Sequence, residues 1–341
     1  MSYYMYVSIS GEDRILVFTV DPETGRLEPQ GDVAVTGSPA PLAIDPEQRF
    51  LYVGCRDARE ISSYRINWNT GGLSLIGTAS LETDPCYLAT DRKGRFLLST
   101  YYGAGKVAIH PISDDGAVGT PPVEWLDTAR GAHSIQTDPS NRFAFVPHIA
   151  APNGPNVILQ FKFSEATGRL TPNSPHKAIP KEGAGPRHFC FHPSLDILYF
   201  SNEQGCSVTA YRFNSLAGTL SAFQTVSTLP DDYKGRNTCA QIQISPLGRF
   251  LYASNRGHNS IACFSVDAYT GRLMPLGRVP TEAVPRAFSL DPEGNFLFAA
   301  GLESGRLVSY RVNGDTGELE PLETYAIGKE PMWVLITRSA G

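Results

Sequence analysis

A chain of 341 residues with 41% hydrophobic and 18% charged residues, 32 glycines and 26 prolines has too many breakers for a long helical bundle and suits short strands joined by tight turns. A net charge of -5 with no Lys/Arg-rich run leaves no footprint for nucleic acid, and without an 18-residue apolar stretch or a basic-then-apolar leader the sequence predicts no membrane span and no secretion. The expectation is a soluble cytoplasmic protein whose six scattered cysteines, none in a C-x-x-C pair, are buried reduced thiols rather than zinc ligands or disulfides.

In chain order, the first predicted strands are "YYMYVSIS" (3–10), "RILVFTV" (14–20) and "RLEPQGDVAV" (26–35), the last two joined by a Thr24-Gly25 turn. From Pro41 a longer pattern begins: an apolar strand, a D/S-P-x-x-x-F turn, a strand rich in Leu, Tyr, Val or Ala, a polar loop, an alternating strand, a T-G turn and a fourth strand. It runs from 41 to 77, recurs at 240–277 and 286–323, and has weaker copies beginning at Tyr87, His133 and Arg187. The N-terminal segment lacks a first strand, whereas the terminal "PMWVLIT" is a first strand with nothing after it.

Six full units and one split unit of four strands, at a period of about 40 to 50 residues, predict an all-β, seven-bladed β-propeller with four antiparallel strands per blade. The ring closes when the C-terminal strand pairs with the N-terminal strands, removing exposed edges. Residues 1–341 are read as one domain, its split blade formed by 3–34 plus 331–337.

In such a blade the start of the innermost strand and the end of the second strand lie on one face, and the D-P and T-G turns on the other. The turn residues need only conformational reasons. On the opposite face fall His133, Arg187, His188, Arg286 and Trp333 at starts of inner strands, and Arg56, Tyr101, Tyr102, Asn202, Glu203, Asn255, Arg256 and His258 at ends of second strands. These groups are expected at the mouth of a solvent-filled funnel, where Arg187 and His188 escape the cost of a buried charge and Glu203 is a counter-charge. Arg187 with Glu203 also reads as a structural ion pair. Arg256 and Arg286 favour function, because three arginines around one opening call for an anionic ligand. The pattern holds no metal-ligand cluster, Walker loop or nucleophile elbow.

The segments "GAGPRH", "SNEQG", "AHS", "TYYGAGKV", "SNR", "VPRAFSLDP" and "PMWV" resemble the cytoplasmic seven-bladed β-propeller lactonases. That family includes a bacterial propeller-type 6-phosphogluconolactonase and, more distantly, a fungal 3-carboxy-cis,cis-muconate lactonizing enzyme. The likeness spans essentially the whole chain. It implies a site without metal or cofactor, acting on a small anionic or sugar lactone. The histidine, glutamate and two arginines of the muconate enzyme's site fall by local motif on His133, Glu203, Arg187 and Arg256. The loop "VPHIAAPNGPN" (146–156) is longer than the family pattern and bears on access or substrate size.

The resulting expectation is a lactonase with 6-phospho-D-glucono-1,5-lactone as first candidate substrate. Glu203 or His133 acts as base and Arg187 and Arg256 stabilise the oxyanion; His188, Arg286, Tyr101, Arg56 and Trp333 complete the binding set. An unphosphorylated aldonolactone, a muconate-type cycloisomerisation, a non-catalytic binding scaffold and assembly as a homodimer stay open.

Overall fold

A computed structural model describes residues 3–151 and 154–338, leaving Pro152 and Asn153 of the long 146–156 loop outside the described residues. The chain forms seven four-stranded antiparallel sheets in a ring, a seven-bladed β-propeller. The inner strands of blades one to seven are Pro331–Arg338, Pro39–Ile44, Tyr87–Thr90, Gln136–Thr137, Pro186–Phe191, Thr238–Ile244 and Pro285–Leu290. In blade one the C-terminal strand is innermost and pairs antiparallel with Tyr3–Ile9, from Tyr3 opposite Arg338 to Val7 opposite Val334, so the two ends of the chain share a sheet. Helix is confined, among the described residues, to one 3-10 turn at Ser10–Glu12. No described helix is long and apolar enough to cross a membrane.

The repeated motifs owe their pairing to the joint between blades. In the D/S-P-x-x-x-F turns the first side chain accepts the backbone N–H five residues on, at 2.7 Å for Asp45 with Phe50, 3.0 Å for Ser245 with Phe250 and 2.6 Å for Asp291 with Phe296, and Asp91 does the same for Phe96 at 2.8 Å without the proline. The phenylalanine so fixed covers the T-G turn of the next blade in the ring. Gly25, at φ +72°, lies under Phe296, where a Cβ would come within 2.4 Å of the ring, and Gly317, at φ +76°, lies under Phe250 at 2.2 Å. Any side chain at these glycines would collide with the ring and strain the backbone. Blade five replaces the aspartate with His192, whose Nδ1 accepts from the backbone N–H groups of Ser194 and Leu195 at 3.1 and 3.0 Å.

Hydrophobic packing lies between neighbouring blades. One cluster joins Phe250 and Tyr252 of blade six to Phe288, Leu297 and Tyr310 of blade seven, and another joins Met5 and Val7 of blade one to Phe296 and Phe298 of blade seven. Second strands such as Phe50–Cys55 and Phe296–Gly301 are therefore buried along their whole length, as strands covered on both faces must be.

Five inner strands carry a bulge near their beginning, one of them Pro331–Arg338, whose pairing with Tyr3–Ile9 skips Met332. In the others pairing shifts register between Pro186 and Phe189, between Cys239 and Ile242, between Pro39 and Leu42, and between Pro285 and Ala287. Such bulges re-aim side chains. In blade five the displaced residues are Arg187 and His188.

Candidate functional site

The bulge in blade five puts Arg187 and His188 opposite Ser201, whose Oγ accepts the His188 N–H at 3.3 Å. Gly185, at φ +68°, precedes them, and a Cβ there would lie 1.8 Å from the Gln204 side chain, so the G-P-R-H run depends on its glycine. Contrary to the expected solvent-filled setting, Arg187 is only 1% exposed and His188 only 3%. The compensation comes from partners rather than water. Arg187 Nε lies 3.0 Å from Glu203 Oε2, and Arg256 Nη2 lies 3.0 Å from Glu203 Oε1. The Arg187–Glu203 contact is ionic without hydrogen-bond alignment, leaving both facing atoms without a directed partner among the described residues. Arg256 also donates to the Cys239 carbonyl at 3.0 Å, and Ser134 Oγ donates to the Arg187 carbonyl at 2.8 Å, so three consecutive blades pin the cluster.

His133 joins from blade four. Its predicted place at the start of a regular inner strand is modified: regular pairing begins at Gln136, and the chain before it is held by the His133 N–H to the Pro147 carbonyl at 3.1 Å and a bridge between Ala132 and His148. The His133 ring stands edge-on to His188 at 5.2 Å and to Tyr102 at 5.8 Å, with Nδ1 buried and unpartnered among the described residues. Arg286 comes from the bulge of blade seven and has no ion pair or side-chain hydrogen bond among the described residues; it feels the charges of Arg256 and Arg56. The cluster thus holds three guanidinium groups and one carboxylate.

The other sequence candidates divide. Trp333 stands against His188 at 5.8 Å and Tyr87 at 5.6 Å, in the wall of the channel. Arg56 pairs with Asp84 at 2.9 Å and borders a groove of about 490 Å³ with Ser38, Asp57 and Arg59. Tyr101 does not reach the cluster: it is fully buried, packs on Trp125 at 4.6 Å and accepts a hydrogen bond from Ser99 Oγ at 2.9 Å. Asn202 and Asn255 serve their own sheets, bonding Ser207 and Ser260, while His258 leans on Tyr233. No group of three His, Cys, Asp or Glu suited to a metal occurs among the described residues.

Burial sets the electrostatics. Desolvation, with Arg187, His188 and Arg286 adding to it, holds the His133 imidazole well below its usual pKa, and desolvation with Arg187 does the same to His188. Both rings are neutral at physiological pH. Arg187 is lowered by burial and then by Arg256, and Arg286 is pushed down to about 10 by burial, Arg256 and Arg56. Away from the site, burial brings His148 down to about 4. The unfolded chain would protonate these imidazoles near their ordinary 6.5, so it takes up more protons than the folded state on acidification. Stability is expected to fall as pH drops below about 6.5, by about 2 kcal/mol from His148 alone between pH 7 and 5. Thermal midpoints measured across that interval check this; an unchanged midpoint would contradict it.

Three groups escaped the sequence reading. Tyr87 lies 5.1 Å from His188, Asp84 neutralises Arg56, and Gln241 Oε1 lies 2.8 Å from His188 Nδ1. Gln241 had a signal in the repeat, since the pair Ala240-Gln241 occupies in blade six the bulge position of Arg187-His188 in blade five.

Comparison with known proteins adds relatives to this geometry. The sequence model of the lactonase, 7-bladed beta-propeller family matches residues 4–336. A 6-phosphogluconolactonase of Pectobacterium carotovorum is 36% identical over 98% of this chain and 99% of its own length, and one of Yersinia pestis is 38% identical over 98% of each. Among solved structures, a periplasmic gluconolactonase of Pseudomonas aeruginosa superposes with a TM-score of 0.91 at 25% identity, covering 100% of both chains.

Proposed function

The chain belongs to the seven-bladed β-propeller lactonase family, and on that premise we propose that it hydrolyses 6-phospho-D-glucono-1,5-lactone to 6-phosphogluconate. It is an enzyme that acts as a lactonase; the phosphorylated substrate and the roles below are our reading. The observation that carries it is Arg286, a guanidinium with no ion pair among the described residues, which feels the charges of Arg256 and Arg56 more strongly than that of Glu203. Packed cations repel one another unless an anion lies between them, and a phosphate on the substrate supplies it with geometry suited to guanidinium forks.

In this reading His133 is the general base. Its ring is neutral and makes no hydrogen bond through either nitrogen among the described residues, whereas each oxygen of Glu203 already faces an arginine. His133 takes a proton from water as the water oxygen bonds to the lactone carbonyl carbon. Arg187 and Arg256, held in register by Glu203, stabilise the negative charge on the carbonyl oxygen. The bond from that carbon to the ring oxygen then breaks, His133 returns the proton to the departing ring oxygen, and the product acid ionises to water. His188 has both ring nitrogens engaged, Nε2 by Arg187 and Nδ1 by Gln241, so its part is to support Arg187.

A cytoplasmic setting goes with this reading: all six cysteines are free, as a reducing compartment keeps them. The likeness to a periplasmic gluconolactonase favours a second reading with unphosphorylated glucono-1,5-lactone as substrate. Arg286→Ala separates the two. It is expected to lower kcat/KM for the phosphorylated lactone by about tenfold or more, the worth of a charge-assisted contact, and to leave the neutral lactone within about twofold. Equal losses on both would place Arg286 outside phosphate recognition.

A further inference from the structure

We propose that Gln241 is a positioning residue for the lactonase reaction, fixing the tautomer of His188 so that this ring offers a lone pair to the buried Arg187 guanidinium. The inference rests on the reading of Arg187 as part of the reacting site. It starts from Arg187 itself. A guanidinium only donates, and Arg187 Nη1 lies 3.3 Å from His188 Nε2, so Nε2 must accept. The proton of the neutral ring then sits on Nδ1, which lies 2.8 Å from Gln241 Oε1. Gln241 accepts there only by presenting its carbonyl oxygen. One amide orientation therefore satisfies the chain from Gln241 through His188 to Arg187, and the reverse orientation would set an N–H of His188 against an N–H of Arg187.

The scaffold holds this relay in register. Gln241 sits in the same bulge of blade six that His188 occupies in blade five, its N–H given to Ser254 Oγ at 3.1 Å as that of His188 is given to Ser201 Oγ at 3.3 Å. Ser201 Oγ also donates to the Ala240 carbonyl at 2.9 Å, tying the two bulges together. Gln241 lines, with His188 and Tyr87, a cavity of about 270 Å³ whose lining includes neither Arg187 nor Glu203. It acts on the site through the ring and touches neither Arg187 nor Glu203 by any hydrogen bond among the described residues. The groups facing His188 are Arg187 on its own strand, His133 from blade four, Tyr87 from blade three, Trp333 from blade one, and the charges of Arg256 and Arg286 from blades six and seven. None of these accepts the Nδ1 proton, so the tautomer depends on Gln241.

Steady-state kinetics of Gln241→Leu and Gln241→Glu on the lactone, against pH and beside thermal midpoints, test the proposal. Gln241→Leu removes the acceptor and is expected to lower kcat by about tenfold, the scale of one lost hydrogen bond, with KM within about twofold. Gln241→Glu keeps an acceptor but favours the doubly protonated ring, whose Nε2–H opposes Arg187. Its kcat is expected to acquire a new acid limb, low near pH 6 and recovering as pH rises, that the native enzyme lacks. Wild-type kcat and pH profile in both variants, or losses that vanish when rates are expressed per folded molecule, would overturn the proposal. Should Gln241→Leu fail to fold, the profile of Gln241→Glu decides alone. Arg187→Met, run alongside, separates the premises: full activity there sinks the reading of Arg187, whereas an inactive Arg187→Met beside normal Gln241 variants sinks only the role of Gln241.

Discussion

Replacing His133 with asparagine is expected to lower kcat by about 10²-fold or more while the fold is kept, because a positioned general base contributes on that scale. His133 donates its backbone N–H to the Pro147 carbonyl, a contact that the substitution preserves, whereas the uncommitted imidazole nitrogen is lost. Arg187→Met and Glu203→Gln are expected to fall by a similar factor for a different reason, since oxyanion stabilisation and the carboxylate that aligns its arginines fail together. The double mutant should then be far from additive, as residues that act as a unit are. A merely structural ion pair predicts the opposite pattern: lower thermal midpoints in Arg187→Met and Glu203→Gln, with turnover per folded molecule retained. Turnover and midpoint measured on the same samples distinguish the two, and near-normal turnover in His133→Asn would hand the role of base to Glu203.

Deleting the chain from Pro331 onward is expected to abolish the folded protein. The strand Pro331–Arg338 is the inner strand of blade one, and Met332, Val334 and Thr337 are each at most 9% exposed within it. Its loss strips the pairing edge of Tyr3–Ile9, which is buried at every position, and opens the ring between blades seven and two. Burial of Met and Val side chains is worth about 1.5–3 kcal/mol each, and an exposed, largely apolar strand edge invites aggregation. Soluble yield and a thermal melt report the outcome; a soluble chain with the native cooperative transition would contradict closure by the chain ends.

The ring was legible in the sequence because its joints are written twice. Every D-P-x-x-x-F turn announces a strand entry, and the T-G turn announces the glycine that an aromatic ring will cover, so strand order and the split blade follow from repetition. The convergence of His133, Arg187, Glu203, Arg256 and Arg286 was legible from topology alone, since strand direction decides which ends share a face. What the repeat could not convey was depth. A one-residue slip reverses a side chain's face, and the bulge between Pro186 and Phe189 that carries Arg187 inward leaves no compositional mark. Tyr101 shows the same limit, for it ends its strand at the expected face but packs onto Trp125 of its own sheet. Gln241 and Asp84 were missed because their roles are relations to other residues, visible only once His188 and Arg56 have positions.

The proposed function rests on recognition of a phosphorylated sugar lactone by Arg286, which has no ion pair among the described residues. Its most direct test is kcat/KM of the native enzyme for 6-phospho-D-glucono-1,5-lactone and for glucono-1,5-lactone, each corrected for spontaneous ring opening. One or two charge-assisted contacts to a phosphate predict a preference of about 10²-fold for the phosphorylated substrate; equal efficiencies, or a preference for the neutral lactone, would contradict it.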